Sequence, residues 1–167
     1  MTLKSIKKSL IRIDNWLRGL SPLSFIGMMC LAHLLAILIL SPILLLMPEE
    51  IPAQGFTDWS FALIFVTLIL IAPIVETLLF QMLVISICTK WWLKLKDWIA
   101  ILISAALFGA GHYSSWQAIL VTFTSGLIFA YSFVVYRDKK TFSPFLMVMI
   151  IHAIFNIPPL IAVCLKY

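Results

Sequence analysis

The chain has 167 residues, of which 63% are hydrophobic and only 11% charged, and its mean hydropathy is +1.10. That balance excludes an ordinary soluble globule and implies a multi-span membrane protein of one domain. The formal charge of +5 does not point to nucleic acid, because the basic residues stand in short clusters between apolar runs, where they act as topology determinants.

Residues 1–23 read as a basic amphipathic interfacial segment. Ile6, Leu10, Ile13, Leu17 and Leu20 recur at helical spacing, Lys4, Lys7, Lys8, Arg12 and Arg18 supply the polar side, and Trp16 an interfacial aromatic. Such a helix is expected to lie on a bilayer with anionic headgroups; the same charges also serve as a flank that sets orientation. Residues 24–167 are expected to form a single transmembrane domain with spans at about 24–47, 59–89, 98–116, 117–136 and 143–165. The expected fold is therefore all-α: a polytopic membrane helical bundle of about five transmembrane helices plus the interfacial helix. Phe25 to Met47 is long enough to span and lacks an A-x-A-like cleavage site, so it is expected to stay as a permanent span.

Charge tests this division. Eleven of the twelve Lys and Arg residues fall in the N-terminal segment, the Lys90 to Asp97 loop and the Arg137 to Lys140 loop, whereas Glu49, Glu50, Asp58 and Lys166 fall on the opposite side. Positive residues collect on the cytoplasmic side, so the N-terminus is expected in the cytoplasm and the C-terminus outside, in a bacterial cytoplasmic membrane. Trp91, Trp92 and Trp98 sit at the inner interface on this reading, and Trp59 and Trp116 at the outer one. Cys30, Cys88 and Cys164 lie in apolar segments without metal-like spacing and read as small hydrophobes.

Within the second span Glu76 is a lone carboxylate, and an acidic side chain at the centre of a membrane helix costs about 3 kcal/mol on insertion scales. Such a residue marks a functional site by default, the bland alternative being a carboxyl bonded to a neighbouring helix. At 1.5 Å per residue Glu76 lies roughly 20 Å, His112 roughly 21 Å and His152 roughly 14 Å from the inner end of its span, one layer of the hydrocarbon core. Three residues before Glu76, Pro73 is expected to kink the helix and free the Ile69 carbonyl. Phe108 and His112, His152 and Asn156, and Thr77 and Gln81 are each four residues apart and share helix faces, and the last pair is placed to hydrogen-bond to each other. Pro158-Pro159 is expected to break the last span just beyond Asn156. His33 has no polar neighbour at helical spacing and reads as a packing or interfacial residue; Gly109 and Gly111 suggest close helix approach.

Three blocks, Glu76-Thr77-Leu78-Leu79-Phe80-Gln81, Phe108-Gly109-Ala110-Gly111-His112 and His152-Ala153-Ile154-Phe155-Asn156, resemble in order the three motifs of the CAAX-prenyl-protease and bacteriocin-processing (CPBP, or Abi) family, E-E-x-x-x-R, F-x-x-x-H and H-x-x-x-N/D. The resemblance covers about residues 70–160, with Ala72-Pro73 and Gly126 as agreeing flanks. It implies an intramembrane endopeptidase acting on a membrane-associated peptide or protein, with Glu76, His112, His152 and Asn156 catalytic and Thr77, Gln81 and Phe108 in support. Glu76 would activate water as general base, the histidines would hold it or protonate the leaving amine, and Asn156 would donate to the oxyanion. The sequence departs from the motifs at Thr77, Gln81 and Met82, where the family has its second Glu, its Arg and often Gly. An i, i+4 ion pair is thus replaced by a neutral pair, which keeps charge balance.

No cofactor is expected. The alternative, Zn²⁺ held by Glu76, His112 and His152, would leave no separate base and lacks the H-E-x-x-H spacing. Two further readings compete: a catalytically silent membrane binding or immunity protein of the same fold, favoured by loss of the Glu/Arg pair, and a proton or ion transporter, disfavoured because no inverted repeat is visible.

Overall fold

The computed structural model describes residues 2–47 and 59–165, and among these every regular element is helical. Glu49, Glu50, Asp58 and Lys166, which carry the acidic side of the charge pattern and the terminal lysine, lie outside the described residues. Seven helices are used below: α1 (Leu3–Gly19), α2 (Pro22–Leu46), α3 (Phe61–Trp91), α4 (Asp97–Gly111), α5 (Trp116–Lys139), α6 (Pro144–Phe155) and α7 (Ile157–Cys164).

Their starts follow from local chemistry. Ser21, Ser60, Ser115 and Ser143 each turn a side-chain oxygen onto a backbone N–H of the first turn of α2, α3, α5 and α6, satisfying a donor that the helix itself cannot pair. Pro22 and Pro144 sit in the first turn of α2 and α6, where the missing N–H costs nothing. Within α2, Pro42 cannot donate to the Leu38 carbonyl, and the Ser41 hydroxyl donates to it instead at 2.8 Å.

Among the described residues four helical stretches are long and apolar enough to cross a membrane: Pro22–Leu46, Phe61–Trp91, Trp116–Lys139 and Pro144–Cys164. The chain is a multi-pass membrane protein with a helical bundle fold. Much of its apolar surface faces outward, as on Leu34, Leu38 and Ile39 of α2, because lipid tails are as good a solvent for leucine as another helix is. α4 is a shorter apolar helix of 15 residues. The stretch expected to run as a span over 98–116 stops as helix at Gly111, because His112 leaves helical geometry (φ −104, ψ 47) and its N–H closes onto the Gly109 carbonyl in a tight last turn.

α4 and α5 approach most closely. A Cβ on Gly109 would lie 2.9 Å from the Phe123 Cβ and 3.0 Å from the Ile119 carbonyl oxygen; one on Gly126 would lie 3.0 Å from the Ala105 Cα and 3.1 Å from Phe108 Cδ1. Only glycine permits this spacing, and in lipid such packing replaces the hydrophobic drive between helices. Ser104 of α4 donates to the Phe80 carbonyl of α3 at 2.8 Å, tying α3 to the pair. Around this centre Phe25, Phe108, Phe129, Tyr136, Met147 and Ile151 form one buried core.

The three basic segments meet at one end of the bundle. Arg18 of α1 bonds Asp14 at 2.9 Å and Asp138 of α5 at 3.2 Å. Tyr131 donates to Asp14 at 2.8 Å, Lys139 donates to the Leu20 carbonyl at 2.7 Å, and Arg137 pairs with Asp97 at 2.9 Å. Arg18 thus acts as an intramolecular clasp, which its expected place on the solvent side of a lipid-bound helix did not foretell.

Candidate active site

α3 carries Glu76, and its backbone is not a plain α-helix. Thr67–Ile71, Thr77–Leu83 and Ile87–Trp91 are wound in the wider i→i+5 register, with α-helical turns between them. In that register the Ala72 N–H reaches the Thr67 carbonyl, so the next donor in line, for Leu68, would be residue 73. Pro73 has no N–H. The Leu68 carbonyl is therefore orphaned, one residue before the Ile69 carbonyl that the α-helical register expected to be freed. Asn156 fills the gap: its Nδ2 donates to the Leu68 carbonyl at 2.8 Å. Wide turns of this kind recur at functional sites.

Asn156 sits at the break in the last span. Its N–H still bonds the His152 carbonyl at 3.0 Å, and α7 begins at Ile157 with Pro158 and Pro159 in its first turn. The interruption thus falls at the polar residue itself and lets its amide cross to α3. Its second N–H remains free of a protein partner within the described contacts.

His112 caps α4. Its Nδ1 is 2.8 Å from the Phe108 carbonyl, which can only accept, so Nδ1 holds the proton and the neutral ring presents Nε2 as a lone pair. His152 of α6 is 3% exposed. Its ring stacks on Phe129 (4.5 Å, 27°) and meets Phe108 edge-on (5.7 Å, 82°). Phe108 touches both imidazoles, being 4.8 Å from His112 as well, and so sets their relative position.

These elements bring three groups together. The Glu76 Oε2 lies 3.8 Å from His112 Nε2 and 3.6 Å from His152 Nε2. It is buried and hydrogen-bonded to no protein donor among the described residues. Both separations exceed a direct hydrogen bond, and they suit three groups sharing one small polar molecule. Among the described residues no group of three His, Cys, Asp or Glu side chains has metal-binding geometry.

His112, His152 and Asn156 line a cavity of about 470 Å³ between α2, α4, α5, α6 and the start of α7, within the usual size of a ligand pocket. Glu76 is not part of its wall, but the two imidazoles nearest to it are. The cavity also takes in His33. Its ring packs parallel on Phe155 (3.9 Å, 11°), in keeping with a packing role, but its Nε2 also lies 3.0 Å from the Ser125 Oγ. Spacing along α2 could not reveal this, because the partner is on α5.

Thr77 and Gln81 are fully buried, yet they do not bond to each other. The Thr77 hydroxyl and both amide atoms of Gln81 find no partner among the described residues. The neutral pair fills the interior without restoring the link that an ion pair would make.

A multi-pass helical membrane protein with a glutamate and two histidines meeting beside an apolar cavity that an asparagine also lines is the class that fold and geometry define. The type II CAAX prenyl endopeptidase Rce1-like family matches residues 58–158, a stretch that includes all four of those side chains. The chain belongs to this family of CAAX-type membrane proteases, which is the CPBP grouping its motifs resemble. No curated protein and no solved structure matches it.

Proposed function

We propose that this protein is an intramembrane endopeptidase in which Glu76 activates water to hydrolyse a peptide bond of a membrane-associated substrate. The observation that carries the reading is the Glu76 Oε2 held 3.6 and 3.8 Å from two imidazole nitrogens on separate helices.

A water in this gap donates one proton toward the lone pair of His112 Nε2 and the other to the Glu76 carboxylate. As the Glu76 oxygen takes its proton, the water oxygen attacks the substrate carbonyl carbon, and the C=O electrons move onto oxygen. The free N–H of Asn156 and an Nε2–H of His152 are the donors available to that oxyanion. Collapse re-forms the C=O and breaks the C–N bond, while the proton held by Glu76 passes to the leaving nitrogen. The products are a carboxylic acid and an amine, and passage of the acid's remaining proton by way of His112 Nε2 to the amine gives a carboxylate and an ammonium group. His152, 3% exposed and packed against Phe108 and Phe129, is withdrawn from water, which strengthens its part in these interactions.

The family supports a prenylated CAAX-type protein as substrate, and the apolar cavity suits a lipid-modified chain. The basic end of the bundle supports an anionic, cytoplasmic membrane face as its surroundings. The test is cleavage of a fluorogenic farnesylated CAAX-type peptide by protein reconstituted in liposomes. Wild type should cleave; Glu76→Gln should lose at least about a hundredfold in rate, the usual worth of a general base. Protein that folds and leaves the peptide intact, with or without Glu76, would instead favour the silent binding reading, which the unbonded Thr77 and Gln81 side chains also support.

A further inference from the structure

The polar groups on the cavity wall fall into two sets. One is the His112, His152 and Asn156 cluster; the other is His33 with Ser125, contributed by α2 and α5. Thr122 also faces the cavity, but its hydroxyl is given to its own helix, at 2.6 Å from the Ala118 carbonyl. The second set therefore offers hydrogen bonding that nothing in the mechanism uses.

Its protonation follows from its partners. Ser125 Oγ lies 3.1 Å from the Val121 carbonyl as donor and 3.0 Å from His33 Nε2. A hydroxyl has one proton, and a carbonyl can only accept it, so His33 Nε2 must carry the hydrogen between them. In a neutral imidazole that leaves His33 Nδ1 as an acceptor. The ring is held by its stack on Phe155, which packs on Phe129 (5.2 Å), which stacks in turn on His152. These ring-to-ring steps put His33 within about four extended residues, or fewer, of a peptide held at His152.

A peptide entering this cavity brings backbone N–H groups into a wall that is otherwise mostly apolar, and an unpaired buried amide is costly. Resting on the proteolytic reading above, we propose that His33, positioned by Ser125, accepts a backbone N–H of the substrate peptide and so holds the chain in register with Glu76. His33 is thus a substrate-binding residue and Ser125 a positioning residue.

Binding is measured in nanodiscs with Glu76→Gln protein, so that nothing is cleaved. The probes are a farnesylated CAAX-type peptide and farnesol, which has the isoprenoid but no peptide. His33→Phe keeps an aromatic ring on Phe155 and removes the acceptor; it should weaken peptide binding roughly five- to tenfold and leave farnesol binding unchanged. Ser125→Ala should act in the same direction, and His33→Gln, which restores an acceptor, should recover part of the loss. Undiminished peptide binding by His33→Phe, an equal loss for both probes, or no binding of the peptide at all would overturn the proposal. Glu76-dependent cleavage by wild type is scored separately. If wild type cleaves but His33→Phe binds normally, only the role of His33 falls; if the probes separate as stated but wild type never cleaves, only the proteolytic step falls.

Discussion

Asn156→Ala should destabilise the bundle through a carbonyl three helices earlier in sequence, and Pro73 should decide by how much. In the native chain the Leu68 carbonyl receives the Asn156 amide at 2.8 Å because the i→i+5 register assigns its backbone donor to a proline. Removing the amide leaves that carbonyl unpaired, at a cost of about 1–3 kcal/mol. Pro73→Ala supplies an N–H at the position that the wide turn already aims toward Leu68. In that background Asn156→Ala should cost little, giving a coupling of about 1–2 kcal/mol between two residues 83 apart in sequence. Equilibrium unfolding of the four proteins in bicelles, followed by tryptophan fluorescence, measures it. Equal costs in both backgrounds, within about 0.3 kcal/mol, would refute the assignment of the orphaned carbonyl.

Other outcomes follow from the same geometry. Gly126→Val should push α4 from α5, because even a Cβ meets the Ala105 Cα at 3.0 Å; overpacking of about 1–3 kcal/mol is expected in the same unfolding assay, together with lower cleavage through displacement of Phe108. Arg18→Ala removes two part-exposed ion pairs with Asp14 and Asp138, so global stability should fall by no more than about 1 kcal/mol. Trypsin should nevertheless cut at Lys7 and Lys8 faster once the clasp is gone. Incubation with a strong chelator should leave cleavage of the farnesylated peptide unchanged; loss that Zn²⁺ restores would move Glu76, His112 and His152 to the metal-ligand reading.

What could be read from the chain alone was set by the membrane. Inside a hydrocarbon core Glu76, His112 and His152 stand out because each is costly there, and their order and spacing carry the family. Contacts between helices were a different matter. His33 looked isolated because periodicity reports only on one helix, while its partner Ser125 is 92 residues away. That the Leu68 carbonyl is freed was not legible, because composition does not announce an i→i+5 turn. The helix expected over 98–116 stops at Gly111, where two glycines and the His112 side chain, bonded back to Phe108, favour an early cap. Likewise Thr77 and Gln81 share a helix face as spacing requires, yet a shared face does not orient two hydroxyl and amide groups toward each other.

The most direct test compares membrane-protein fragments across whole cells carrying wild type or Glu76→Gln at equal abundance. Proteolysis at the Glu76, His112 and His152 site requires a set of fragments present with wild type and missing with the variant. Identical fragment profiles from two equally folded proteins would contradict it.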